Sequence, residues 1–296
     1  MQLSSALKAA VAAAILGTAA QAGAAPISVA STSNAAALAN ALGGTGVTIS
    51  SPTYAGASGS AGTFTGGTGA GLGFGSGIVL TSGLASDAGT SYAGSQLPSV
   101  SAGGPSTTLI ANSFDSSTLS FNFTSTGTSA SFRYVFASAE YPDYVNSPFN
   151  DAFRFLINGQ DVALLPGTST PVSINTVNNG DTDGNGASNP SSFVDNRNGQ
   201  NASTPYGGYT VPLTAGITGL TPGAVNTLTL VIADVSDDQL DSAVFIEAGS
   251  LTNTPPGGST SGGGTGGGTA VPEPASMALL GVGLFGLGLV RRRTAD

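Results

Sequence analysis

Carboxylates are the side chains in this 296-residue sequence that combine useful chemistry with clustering. Asp234, Asp237, Asp238 and Asp241 fall within eight residues, and Glu140, Asp143 and Asp151 form a second group. Such groups repel one another unless something positive sits among them. A hard divalent cation meets that need, since calcium takes about six to eight oxygens from carboxylates, amides and carbonyls. We therefore read these seven acids as candidate calcium ligands, the alternative being solvated acidic loops that keep the chain soluble. Asp181-Thr182-Asp183-Gly184-Asn185-Gly186 follows the first half of an EF-hand loop and adds Asp181, Asp183 and Asn185 to the candidates. Ser192 stands where the closing Glu belongs, with Asp195 the nearest substitute, and a plain Gly/Asn turn explains the same residues. Paired carboxylates also cleave glycosides, with Glu140 or Glu247 and one of Asp234 to Asp241 as acid and base. Tyr141, Tyr144, Tyr206 and Tyr209 offer rings for sugar stacking or for packing at strand ends.

What is missing narrows the field. The chain has no His, no Cys and no Trp, and Lys8 is its one lysine. Disulfides, thiol nucleophiles, Cys/His zinc sites and imidazole bases are excluded, and with them a Ser-His-Asp triad. A formal net charge of −9 argues against nucleic acid as a partner. Between Ala25 and Ala270 three arginines (133, 154 and 197) face fourteen acids, so the acidic middle is poorly compensated. No pattern sets one acid in apolar sequence and its neighbour in polar sequence, as acid–base catalysis requires, so the expected function is non-enzymatic.

The elements that must carry these acids are strands. Period-two alternation places Leu119, Phe121 and Phe123 on one face, and does the same for Phe132, Tyr134 and Phe136. Phe153, Phe155 and Ile157 repeat it, as do Leu228, Leu230 and Ile232, then Val244, Ile246 and Ala248. Further strands are expected at Ile78–Leu80, Val162–Leu165, Val172–Val177 and Tyr209–Leu213. Ser33 to Leu42 reads as one short helix, capped by Ser33 or Asn34 and ended by Gly43-Gly44. From there to Gly77 the chain reads as loop with short strands. Many short alternating strands with no strand–helix alternation predict an all-β fold, an antiparallel β-sandwich of jelly-roll-like form.

Both ends read as addresses. Lys8, the apolar run from Ala9 and the small residues at 20–24 make residues 1–24 a secretory signal peptide, cut after Ala22 or Ala24. A domain is expected over 25–254 and a Gly/Ser/Thr-rich flexible linker over 255–270. Then come Pro272-Glu273-Pro274, an uncharged apolar stretch over about 275–290 and Arg291-Arg292-Arg293. Sixteen residues of helix span about 24 Å, slightly short of a ~30 Å hydrocarbon core, and the arginines fix the tail on the cytoplasmic side.

That tail, 271–296, resembles the PEP-CTERM sorting signal, which implies recognition by an exosortase, a membrane transpeptidase of exopolysaccharide-making bacteria. The middle resembles the choice-of-anchor L domain through Phe136-Ala137-Ser138-Ala139-Glu140-Tyr141-Pro142-Asp143-Tyr144-Val145 and Phe149-Asn150-Asp151-Ala152-Phe153. Ile232-Ala233-Asp234-Val235 and the run from Asp241 to Gly249 extend the resemblance. Where that family usually carries two consecutive acids, Ala139-Glu140 supplies one. The resemblance implies an exported surface or extracellular-matrix domain with no defined reaction. Together these readings predict a calcium-stabilised structural or adhesive protein, held transiently in the membrane by its C-terminal helix, with exopolysaccharide or matrix proteins as partners. The rival is a domain that binds or cleaves exopolysaccharide glycans.

Overall fold

The computed structural model describes residues 26–94 and 97–256. The expected signal peptide, most of the linker and the sorting segment with its helix at about 275–290 lie outside the described residues. Among the described residues no helix is long and apolar enough to cross a membrane.

Alternation resolves into antiparallel strands. The first half carries β1 (Ser28–Ser31), β2 (Val47–Ala55), β3 (Ala61–Thr65), β4 (Ser76–Thr81), β5 (Ser113–Ser125) and β6 (Ser129–Ser138). The second half carries β7 (Ala152–Ile157), β8 (Gln160–Asp161), β9 (Phe193–Asp195), β10 (Gly208–Thr210), β11 (Leu213–Thr218), β12 (Val225–Val235) and β13 (Ser242–Glu247). One sheet has eight strands in the order β1-β3-β4-β13-β6-β10-β9, with β11 also paired to β6. The other has five, β2-β5-β12-β7-β8. The fold is all-β, two antiparallel sheets packed face to face.

The core between the sheets is aromatic. Phe132, Tyr134 and Phe136 of β6 meet Phe153 and Phe155 of β7, with ring centroids 4.9–5.2 Å apart. Leu119, Phe121 and Phe123 of β5 and Leu228, Leu230 and Ile232 of β12 fill the same layer. The helix α1 (Ala35–Leu42) adds Leu38, Ala39 and Leu42. Asn34 is its cap, accepting the Ala37 N–H at 3.1 Å, which satisfies one of the first-turn donors.

Three segments depart from the sequence reading. The stretch read as loop with short strands holds a longer one, β2, nine residues paired to β5, with a register shift between Ser50 and Thr53. Its Ser and Thr side chains carry little apolar signal, and the backbone ladder to β5 fixes it instead. Conversely, Val162–Leu165 and Val172–Val177 are not strands. Their apolar residues plug the core while the backbone makes single bridges, Leu164 to Pro171 and Ala152 to Ser173. Tyr209–Leu213 divides into β10 and β11 at Val211-Pro212, where proline has no N–H for a ladder.

The eight-stranded sheet is apolar on both faces. Val79, Val135, Ala137 and Phe245 point away from the sandwich core and are covered by Phe64, Leu72, Phe74 and Tyr206. With this second layer β4, β6 and β13 are almost wholly buried. Because Phe153 touches Tyr134, Phe136 and Phe155, Phe153→Ala is expected to cost about 3–5 kcal/mol in denaturant unfolding. Val225→Ala, at a side chain 68% exposed, is expected to stay within about 0.5 kcal/mol. Equal losses for the two would show that the aromatic layer does not carry the fold.

Candidate functional site

Register brings the acid-bearing loops to one end of the sandwich. Ser242 at the start of β13 pairs with Ser138 at the end of β6, and Ala243 with Thr81 at the end of β4. Ala152 at the start of β7 pairs with Ala233 near the end of β12. The segments 82–86, 139–151 and 236–241 therefore leave from the same pole.

Four carboxylates are sealed there, Glu140, Asp151, Asp234 and Asp241, none more than 1% exposed. Asp151 accepts the Ser242 hydroxyl at 2.7 Å and the Val235 N–H at 3.0 Å. Asp234 lies beside Asp151 and Ser82, yet neither of its oxygens has a well-formed hydrogen bond. Asp241 accepts the Val100 N–H at 3.2 Å through Oδ1, while its Oδ2 has no partner. A Cβ at Gly83 would lie 1.9 Å from that oxygen, so the chain passes here because residue 83 has no side chain. Glu140 donates its backbone N–H to Ser138 Oγ at 2.9 Å and leaves Oε2 unpartnered.

No cationic side chain answers these acids among the described residues. Arg133 pairs with Glu247 at 2.9 Å, Arg154 with Asp161 at 3.2 Å, and Arg197 with Asp195. Burial therefore pushes the carboxyls up. Asp151 rises to about 7, burial outweighing its hydrogen bonds from Ser242 and Val235. Asp234 is driven well above the usual range by burial and then by Asp151. Glu140 rises to about 9 through burial, then Asp151, Asp237 and Asp143. Asp241 rises to about 7 through burial, against the Val100 N–H that favours its charged form.

A pocket of about 240 Å³ opens beside this cluster, lined by Ser99, Glu140, Tyr144, Phe149, Asp237, Gln239 and Leu240. Asp237 is half-buried on its wall and accepts the Gln239 N–H at 3.3 Å. The segment over the cluster is fastened by acids too, since Asp115 accepts the Gly104 and Ala102 N–H groups at 2.6 and 2.8 Å.

The remaining candidates stand apart. Asp238 turns onto the Gln239 amide at 3.1 Å, and Asp143 is exposed. Asp181 commits Oδ1 to the Asp183 and Asn185 N–H groups of its own turn, at 3.0 and 2.9 Å. Asp195, the substitute for a closing acid there, is held by Arg197. Glu247 lies at the far end of β13 on Arg133, which separates it from Asp234 to Asp241 as a catalytic partner. Among the described residues no three His, Cys, Asp or Glu side chains converge closely enough to hold a metal ion by themselves. The nearest approach is the Asp151–Asp234 pair with the hydroxyls of Ser82 and Ser242. Those hydroxyls, Gly83, Ser99 and Asp115 escape sequence reasoning, because isolated residues of these types in a Ser/Gly-rich chain give no signal.

Comparison with known families matches residues 28–252 to the choice-of-anchor L domain. The chain belongs to the choice-of-anchor L family. A PEP-CTERM protein-sorting motif matches residues 270–293, spanning Pro272, Glu273, Pro274 and Arg291 to Arg293. That motif implies processing by exosortase, export, and a surface or extracellular location. No curated protein and no solved structure matches the chain.

The raised carboxyls fix the sign of the pH response without added cation. Each binds its proton more tightly folded than unfolded, where carboxyls titrate near about 4. The folded state thus takes up protons between about pH 4 and 9, and stability falls as pH rises through that window. Melting temperatures in chelator are expected to decline from about pH 5 to about pH 8. A rise over that interval would show that these carboxyls are ionised and compensated.

Proposed function

We propose that this choice-of-anchor L domain is a calcium-stabilised, non-enzymatic structural or adhesive module of the cell surface or exopolysaccharide matrix. The observation that carries the reading is the Asp151–Asp234 pair, buried and without any cationic side chain among the described residues. Two carboxylates and the hydroxyls of Ser82 and Ser242 form an all-oxygen donor set suited to a hard cation, with waters and carbonyls completing the shell. Asp241 and Glu140 add negative charge alongside. Before processing, the apolar stretch over about 275–290 would hold the chain in the membrane for exosortase.

Bound calcium at about a hundred times its Kd stabilises by about 2.7 kcal/mol, roughly 5–10 °C for a domain of this size. Excess chelator is expected to lower the melting temperature by that amount. Asp234→Asn gives the sharper result, since it removes a ligand and a repulsion together. The variant should melt above the native protein in chelator and below it in calcium. A native melting temperature indifferent to chelator would end the calcium reading.

For the sorting step, changing Pro272, Glu273 and Pro274 to alanine should abolish C-terminal processing and leave the chain cell-associated. Unaltered processing would exclude the exosortase route.

Glycan cleavage is the second reading, favoured by one feature: buried Glu140, held protonated to about 9, shares a pocket with half-buried Asp237. Release of reducing sugar from exopolysaccharide, lost in Glu140→Gln, would support it over a binding role.

A further inference from the structure

We infer that this domain joins copies of itself head to tail, an apolar turn at one pole of the sandwich entering a hollow at the other pole of the next copy. This goes beyond the structural reading by naming the partner, and it needs no cation at Asp151 and Asp234.

The turn is made to protrude. Between β11 and β12 the Ala224 N–H donates to Thr221 O at 3.1 Å, around Pro222 and a Gly223 with φ of +76°, the residues a type II turn requires. Its root is fixed, since Leu220 is buried and the Gly223 N–H donates to Ser125 O at 2.8 Å. Its outer side is bare. Thr221 to Val225 are all exposed, and apart from chain neighbours nothing lies within 4 Å of where a Cβ on Gly223 would sit. Val225, 68% exposed, is the most exposed large apolar side chain among the described residues. A rigid apolar knob loses little freedom on docking.

The hollow lies at the acidic pole. It encloses about 170 Å³ between Ala93, Leu97, Pro98, Val100 and Pro205. That is near the ~150 Å³ of an apolar cavity that accepts benzene, room for the one or two small apolar side chains the turn offers. Pro98 O accepts the Asp241 N–H at 2.9 Å and the Val100 N–H donates to Asp241 Oδ1, which ties this wall to the acids. Leu97 and Val100 are 48% and 36% exposed, so the space is open to a partner.

Position sets the polarity of the contact. Val225 opens β12 and Asp234 stands near its other end, about 30 Å along the strand. One copy cannot fill its own hollow, and a contact between opposite poles does not close on two copies, so repetition gives a chain.

Charge and shape exclude the symmetric pairings. Acidic pole against acidic pole would bring like charges together. Turn against turn would leave both knobs without a hollow. The segments at the turn's pole, 43–48, 124–129 and 218–227, contain no charged side chain, so Asp87 on the hollow's wall meets no like charge there. The knob is small beside a standard interface of about 1,600 Å², which places the contact in the weak class, with a Kd of about 0.1–1 mM.

Sedimentation velocity of the full-length protein in detergent, taken up to about 1 mM, tests the contact. The native chain is expected to form species that grow past the dimer as concentration rises. Val225→Asn and Leu97→Asn each set an amide into the apolar contact and should weaken association about tenfold or more. Both side chains are exposed, so melting temperatures should stay unchanged; should either fall, Ala224→Asn or Val100→Asn takes that variant's place. Mixed in equal amounts, the two variants should form dimers and nothing larger, because one intact turn and one intact hollow remain between them. A native chain monomeric at about 1 mM, a native dimer that grows no further, association that survives in either variant, or a mixture no more associated than its components would each overturn the inference. Runs in chelator and in calcium keep the proposals apart: the calcium reading fails through melting indifferent to chelator, and the head-to-tail contact through sedimentation.

Discussion

Charge imbalance inside a closed space governs this molecule. Burying an ion is costly unless it is paired and hydrogen-bonded, or its charge is removed by a proton. The domain has three arginines and places each on a different acid near the surface, Glu247, Asp161 and Asp195. Asp151, Asp234, Glu140 and Asp241 are left to share a pole with hydroxyls and backbone N–H groups alone. Surface ion pairs of that kind contribute little, so the arginines would cost the fold little if moved. Their absence from the pole is what gives the site its character.

The architecture makes such an imbalance bearable. Strand ends from both sheets converge there, and the ladders from Ser242 to Ser138 and from Ala152 to Ala233 fix the loops at their roots. Behind them the eight-stranded sheet is packed on both faces. The loops that carry the carboxyls are tied at their roots by those ladders, and burial is answered by raised proton affinity. Preorganised acceptors that face one another are the condition under which a cation binds with little reorganisation.

Much of this is legible in the chain itself, for reasons that differ residue by residue. The strands around Phe121, Tyr134, Phe155, Leu230 and Val244 declare themselves because large inward side chains alternate with smaller or more polar ones. The length of strand β2 stays hidden because four of its nine residues are Ser or Thr and backbone pairing holds it. The stretch 162–177 misleads because core plugs and strands share the same apolar residues. The acids stand out against a charge-poor background, but sequence distance cannot rank them. Asp238 sits four residues from Asp234 and faces outward, while Asp151, far away in the chain, is Asp234's neighbour. Gly83 and Ser242 matter through contacts that only the folded chain creates.

The last described residues carry a geometric consequence. After β13 the chain returns past Gly43 and pairs Thr252 with Ser131, near the start of β6, whereas Ser138 at the other end of β6 borders the acids. About seven residues of strand separate those points, roughly 23 Å. The chain therefore leaves the described domain at the pole opposite the acids, a separation fixed by the path of the backbone alone.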